Sequence, residues 1–377
     1  MTTVADLTKL LDATYPPALA ESWDSVGLIC GDPADDVELV AFALEATNAV
    51  ADAAVEAGAQ LLVVHHPLLM RGVDSVAADT AKGSVIHTLI KGGCALFAAH
   101  TNADSARPGV NDKLAELVGI TPGRPIKPVL LGATDKWGVH VLAKDAETVK
   151  NALFTAGAGH IGDYAECSFD IEGTGQFTPL PGADPTEGAV GENYRSPELR
   201  VEFVAPRRLR HTLIDVLRGA HPYEEPAFDV VELAQDVDLA TATGLGRVGV
   251  LPEPMTLREF TQQVADALPE TVWGVRAAGD PEQLVSTVAV ASGAGDSMMG
   301  PATSLGADVL VTSDLRHHPV DEHLRAGGCA VIDAAHWASE YPWTMQVSEI
   351  VEDEAGVDTL VIPLRTDPWT VSAHPNG

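Results

Sequence analysis

The chain is short of sulfur, of cations and of long apolar runs, and each shortage narrows what it can do. Its four cysteines, Cys30, Cys94, Cys167 and Cys329, are scattered with no CxxC spacing, which excludes a disulfide framework or a thiolate zinc site and suits reduced thiols in a cytosol. Any metal must therefore be held by nitrogen and oxygen. Only 23 basic side chains stand against 54 acidic ones, for a formal net charge of −31, so there is no clustered Lys and Arg surface for nucleic acid or an anionic membrane. Such a balance fits a protein that binds cations. No apolar run reaches the roughly 18 residues of a membrane span, and Met1-Thr2-Thr3-Val4-Ala5-Asp6-Leu7 lacks the basic and apolar segments of a signal peptide. We expect a cytoplasmic protein.

At 377 residues the chain exceeds one average domain. Strand and helix patterns alternate near the start: strands at 37–44, 61–64 and 94–99, with helices at 48–57 and 82–91 between them. The rhythm resumes after Leu245, with strands at 285–291, 309–312 and 329–332 and helices at 257–268, 298–305 and 341–352. This predicts an α/β domain with a parallel or mixed sheet, built from residues 1–125 and 241–377. Residues 126–240 instead read β-α-β-β-α-β, a ferredoxin-like unit complete in itself and inserted into the first. Within it a Gly/Pro-rich stretch, 173–197, separates strands expected at 165–171 and 199–204. The clusters His160-Ile161-Gly162-Asp163-Tyr164 and His221-Pro222-Tyr223-Glu224-Glu225-Pro226 fit turn chemistry or a binding site equally well. Ser292-Gly293-Ala294-Gly295-Asp296 reads as a tight turn or a weak anion cradle, and Trp369 to Gly377 as a polar tail.

What the chain does have is histidine at the ends of strands. The apolar run Leu61-Leu62-Val63-Val64 stops on His65-His66-Pro67, where Pro67 ends the ladder and both imidazoles can reach a cleft beyond the strand end. Three other strand ends lead to His100 with Asp104, to His317-His318, and to His336 with Glu340. At the start of a helix, the four-residue spacing of His336 and Glu340 puts imidazole and carboxylate on one face. Imidazoles with two carboxylates suit zinc, iron or manganese better than calcium. The side chains are too many for one open tetrahedral ion and too few to saturate two. A pair of ions about 3.5–4 Å apart sharing a carboxylate would leave room for water or substrate, which makes hydrolysis the default class.

Leu62-Val63-Val64-His65-His66-Pro67-Leu68, Ala99-His100-Thr101-Asn102-Ala103-Asp104 and His336-Trp337-Ala338-Ser339-Glu340 resemble the three signature blocks of the Ngg-interacting-factor-three-like family, whose members are often labelled GTP cyclohydrolase one type-two homologues. Trp23-Asp24-Ser25-Val26-Gly27-Leu28 and Thr312-Ser313-Asp314 resemble two further blocks. Ala335 and Ser313 stand where the family usually has Gly. The resemblance implies that His65, His66, Asp104, His336 and Glu340 bind two divalent metal ions, with Glu340 bridging. His100 and His318 would orient these groups rather than ligate. It further implies a toroidal homohexamer with its metals facing a central cavity. The middle region is similar to the PII-like and CutA-like insert of longer members. The implied function is a metal-dependent, cyclohydrolase-like hydrolase acting on a nucleotide-like or other small substrate through activated water. The rival is a metal-binding, metallochaperone or regulatory scaffold without catalysis.

Overall fold

A computed structural model describes residues 2–129, 132–234 and 238–373. The fold is mixed α/β and forms two compact units, Met1–Leu130 with Asp238–Gly377, and Leu131–Val237. No helix among the described residues is long and apolar enough to cross a membrane.

The first unit holds two five-stranded mixed sheets. In one, the order is Gly27–Cys30, Ala95–Ala98, Leu61–His66, Leu39–Glu45, Asp358–Val361, all parallel except the antiparallel edge pair Gly27–Cys30 with Ala95–Ala98. Leu61 to Val64 are fully buried in its centre, which explains an apolar run without alternation. In the other, Arg247–Thr256, Leu284–Ala294, Val309–Ser313, Ala330–Ala334 and Arg276–Ala278 follow one another, with antiparallel pairs at both edges and parallel pairs between. The two halves of the sequence share their cores. Leu44, Leu114 and Val118 pack with Val285, Val309 and Ile332, while Trp343, Val347 and Val351 pack with Val4, Leu7, Phe42 and Phe97.

Helix starts carry the expected caps. Thr47 accepts the Val50 N–H ahead of helix Asn48–Glu56, and Thr256 forms a reciprocal capping box with Glu259 ahead of Leu257–Ala267.

The second unit is one antiparallel sheet in the order Ser168–Phe177, Tyr194–Pro206, Thr134–Leu142, Phe228–Glu232, with helices Ala146–Thr155 and Arg210–Ala220. Its core is built around Trp137, stacked on Phe203 and Phe228 at 5.8 and 6.0 Å between ring centroids. The Gly/Pro-rich stretch is shorter than its composition predicts, because ladder pairing continues through Gly173 and Gly175 to Phe177 opposite Tyr194. Pairing here overrides the low strand propensity of glycine. His221 is a turn residue: its Nε2 donates to the His140 carbonyl at 2.9 Å and its Nδ1 accepts the Tyr223 N–H at 3.0 Å.

One buried cation fastens the first unit. Arg247 is fully buried and donates Nε and Nη2 to Asp112 at 2.5 and 2.9 Å, Nη1 to the carbonyls of Gly244 and Gly246, and Nη2 to that of Ala106. Removing one partner of such a pair strands the other charge in a dry interior. Arg247→Ala should therefore lower the unfolding free energy by about 3–5 kcal/mol in a urea titration, and a loss under about 1 kcal/mol would contradict this role.

Candidate metal centre

Three chain segments converge beyond the strand ends of the first unit. Strand Leu61–His66 presents His65 and His66, the short helix Thr101–Ser105 carries Asp104 and is preceded by His100, and helix His336–Glu340 carries its two terminal residues on one face. Ligand atoms of His65, His66 and His100 lie within 4.8 Å of one another, as do those of His66, His336 and Glu340, and those of His65, Asp104 and Glu340. The imidazoles pack closely: His65 and His66 at 5.1 Å between centroids, His65 and His100 at 5.1 Å, and His66 and His336 at 5.2 Å.

Each ring is held by the same device. Nδ1 faces an acceptor in all four: the Ala99 carbonyl at 2.8 Å from His65, Glu45 at 3.1 Å from His66, Asp24 at 2.9 Å from His100, and Asp314 at 2.7 Å from His336. A proton on Nδ1 leaves a lone pair on Nε2, the arrangement that metal-binding histidines use. His65 Nε2 is buried without a hydrogen-bond partner and stands 3.7 Å from both Asp104 Oδ1 and Glu340 Oε1. That gap is too long for a hydrogen bond, and bonds of about 2.1 Å to a common ion put neighbouring donors about 3–4 Å apart. Glu340 Oε2 lies 2.8 Å from His66 Nε2 and 3.1 Å from His336 Nε2, yet neither contact has hydrogen-bond geometry. These donors fit a divalent cation better than they fit one another.

The electrostatics describe a cluster that draws positive charge, as protons on its rings or as a cation in their place. Burial works against charge on Glu340, but His336, His65 and His66 hold its carboxyl well below the usual range. Burial also opposes charge on His66 and His336, and the negative charge of Glu340 outweighs it, pushing them up to about 9 and about 11. Asp104 moves the other way, raised by burial and by Glu340 despite the opposing pull of His65.

The backbone leaves room for this cluster at Gly293. Its φ of +61° is left-handed, and a Cβ there would lie 2.3 Å from Glu340 Oε1 and 3.2 Å from His336 Nε2. Its N–H donates to Ser339 Oγ at 3.0 Å, and Ser292 Oγ donates to Asp104 Oδ1 at 2.8 Å. The segment read as a turn or anion cradle is thus the end of strand Leu284–Ala294, forming a wall of the site.

Residues 2–368 match the family described as Duf34/NIF3 (NGG1p interacting factor 3). The chain belongs to that family. It is 52% identical over 377 residues to a Mycobacterium tuberculosis protein named GTP cyclohydrolase 1 type 2 homolog, covering 99% of this chain and 98% of that one. A Bacillus subtilis protein of the same name is 36% identical over 366 residues, covering 96% of each. A crystal structure of a Bacillus cereus protein related to NIF3 superposes with a TM-score of 0.65 at 35% identity, covering 98% of this chain and 99% of that one.

In this NIF3-family chain His65, His66, Asp104, His336 and Glu340 come together, and His100 joins the His65–His66 group. His317 and His318 do not. They occupy the first turn of helix His317–Arg325, pack on each other at 5.1 Å, and enter no group of potential ligands among the described residues. The carboxylate that meets the His336 ring is that of Asp314, three residues before that helix and at a φ of +57°. Asp24 and Glu45 were likewise not predicted as partners. Their available signal was position, since Asp24 lies in a signature-like block and Glu45 ends a strand beside His66.

Gly293→Ala should combine left-handed strain with displacement of Glu340, lowering stability by about 1–3 kcal/mol in thermal or chemical denaturation. Gly300→Ala is the control: it lies in helix Met299–Ser304 with open space at its Cβ, and it should be neutral or slightly stabilising. Equal effects of the two substitutions would show that Gly293 is not shaped to the cluster.

Proposed function

We propose that the cluster holds two divalent cations, zinc, iron or manganese, and that the protein is a metal-dependent hydrolase of a nucleotide-like or other small substrate. The observation that carries this reading is the fully buried His65, anchored through Nδ1 with an orphaned Nε2 aimed between two carboxylates. His65, His66, Asp104, His336 and Glu340 would be the ligands, and Glu340 would serve both ions because its Oε1 faces His65 while its Oε2 faces His66 and His336. His100, fixed by Asp24, stands beside them as a positioning group. Bound divalent ions would supply Lewis acidity and bring a coordinated water toward ionisation near neutral pH. The residues themselves supply rigidity: every imidazole is locked before substrate arrives. The names of the relatives point the same way, since opening a purine ring is attack of water on an imidazole carbon.

We read the second unit as a ferredoxin-like insert similar to PII-like and CutA-like domains, supported by its β-α-β-β-α-β element order and strand order. The alternative to catalysis is a metallochaperone or regulatory scaffold. Metal analysis followed by a hydrolase panel that includes GTP separates the two: turnover that vanishes on chelation and returns with metal supports the hydrolase, and tight metal retention without turnover supports the scaffold.

Glu340→Gln keeps the size but loses the charge of the shared carboxylate. It should lower occupancy from two metals per chain toward one or none and abolish turnover, whereas His87→Ala, on helix Ala81–Lys91, should change neither. Two ions per chain in Glu340→Gln at wild-type affinity would overturn the bridging assignment. We further propose that the protein assembles as a homohexamer. Light scattering at micromolar concentration should give six chains, and a metal-loaded monomer would refute it.

A further inference from the structure

Beside the cluster, in the same unit, lies a cavity of about 390 Å³, within the range of small-molecule sites. His66 and His336 are part of its lining, as are Trp273, Trp337, Asp367 and Trp369. The segment read as the start of a polar tail therefore forms a wall of this cavity. It is held there by the Thr366 hydroxyl on the Glu45 carboxylate, the same carboxylate that anchors His66.

Two features of the cavity call for a ligand. The first is aromatic. Trp369 is 58% exposed and Trp273 37% exposed, with ring centroids 5.7 Å apart. A ring slotted between two others needs about 7 Å, so the indoles form one wall, not a slot. Arg276, ion-paired to Asp333 at 2.6 Å, lies 4.6 Å over Trp273 and fixes that indole in place. The second is polar. Trp337 and Asp367 are each only 7% exposed, yet Trp337 Nε1 and Asp367 Oδ2 have no hydrogen-bond partner. Buried polar groups are nearly always paired, so this donor and this carboxylate oxygen, set behind the cavity wall, are groups that a turn of either side chain would offer to an occupant. The described lining includes Glu45, Asp314 and Asp367 but no lysine or arginine, so the indole and carboxylate walls offer a phosphate nothing and any counter-charge for it lies at His66 and His336 beside the cluster.

We propose that Trp273, Trp337, Asp367 and Trp369 form the recognition pocket for the neutral, planar, N–H-bearing heterocycle of the substrate. The ring stacks on the Trp273–Trp369 wall, offers an N–H to Asp367 and accepts from Trp337. Any phosphate of the same substrate lies away from these four residues, toward His66, His336 and the cluster. This deepens the hydrolase reading above and rests on it for the identity of the ligand as substrate.

Guanosine is the probe, because it is uncharged and carries adjacent ring and exocyclic N–H donors. Titrated into full-length, chelator-treated protein, it should quench tryptophan fluorescence saturably and give a matching calorimetric isotherm, while ribose 5-phosphate gives neither. Trp369→Ala and Trp273→Ala should each weaken guanosine binding about tenfold or more, since base–aromatic stacking carries that much affinity. Trp369→Phe, which keeps a ring, should recover most of it, and Asp367→Asn should weaken guanosine binding without changing the melting temperature. Metals per chain should stay at the wild-type value in Trp369→Ala. Absence of saturable guanosine binding at millimolar concentration, or equal affinity in wild type and Trp369→Ala, overturns the pocket. Tryptophan-dependent binding by a protein that shows no turnover sinks the hydrolase reading and leaves the pocket standing.

Discussion

Glu340 is a charged carboxylate almost wholly removed from water, and the surrounding structure is arranged to keep it charged. Burying an isolated carboxylate costs several kcal/mol even after the protein relaxes, and the group would ordinarily take up a proton instead. Here three imidazoles face it, and each is oriented by an acceptor on its far side: Ala99, Glu45 and Asp314. Two of those acceptors, Glu45 and Asp314, add negative charge to an already acidic cluster, so the balance is completed by positive charge drawn onto His66 and His336 or by cations held in their place. A chain with a net charge of −31 has few lysines and arginines to offer at such a point. Among the residues that line the neighbouring cavity there is none.

The parts of this arrangement that were legible in the sequence share one property: their chemistry and their secondary structure coincide locally. His65-His66 end an apolar run, and His336 with Glu340 span one helical turn, so residue type and spacing together announce a cluster. The mixed α/β fold was legible for the same reason, because its central strands are continuous apolar blocks buried on both faces. The missed residues act through tertiary geometry. Asp314 lies in a block with a family resemblance, but its left-handed backbone and its contact with His336 belong to the folded chain, while His317-His318 copy the look of His65-His66 but open a helix that carries them away. Trp369 sits among polar residues without periodicity, and only the folded chain brings it to Trp273, 96 positions earlier.

The same distinction explains why an inserted unit need not disturb the cluster. The chain leaves the first unit near Leu130 and returns at Asp238. Immediately inside those points Lys127–Pro128 and Gly244–Leu245 pair as an antiparallel ribbon, which fixes the two ends side by side whatever lies between them. Arg247 follows and ties the returning strand to Asp112 in helix Val110–Leu117. One residue earlier on that helix, Asn111 accepts the Ser292 N–H at 2.9 Å and donates to the Asp104 carbonyl at 3.0 Å. The ribbon, the buried arginine and Asn111 thus form a continuous chain of contacts from the point of insertion to a carboxylate of the cluster. Glu340 and Asp104 come from opposite ends of the sequence, and their 3.7 Å approaches to His65 are maintained by this seam within the first unit. The seam runs alongside the core the two sheets share, where Leu44 packs with Val285, Val309 and Ile332, so the position of each carboxylate depends on contacts made by both halves of the sequence.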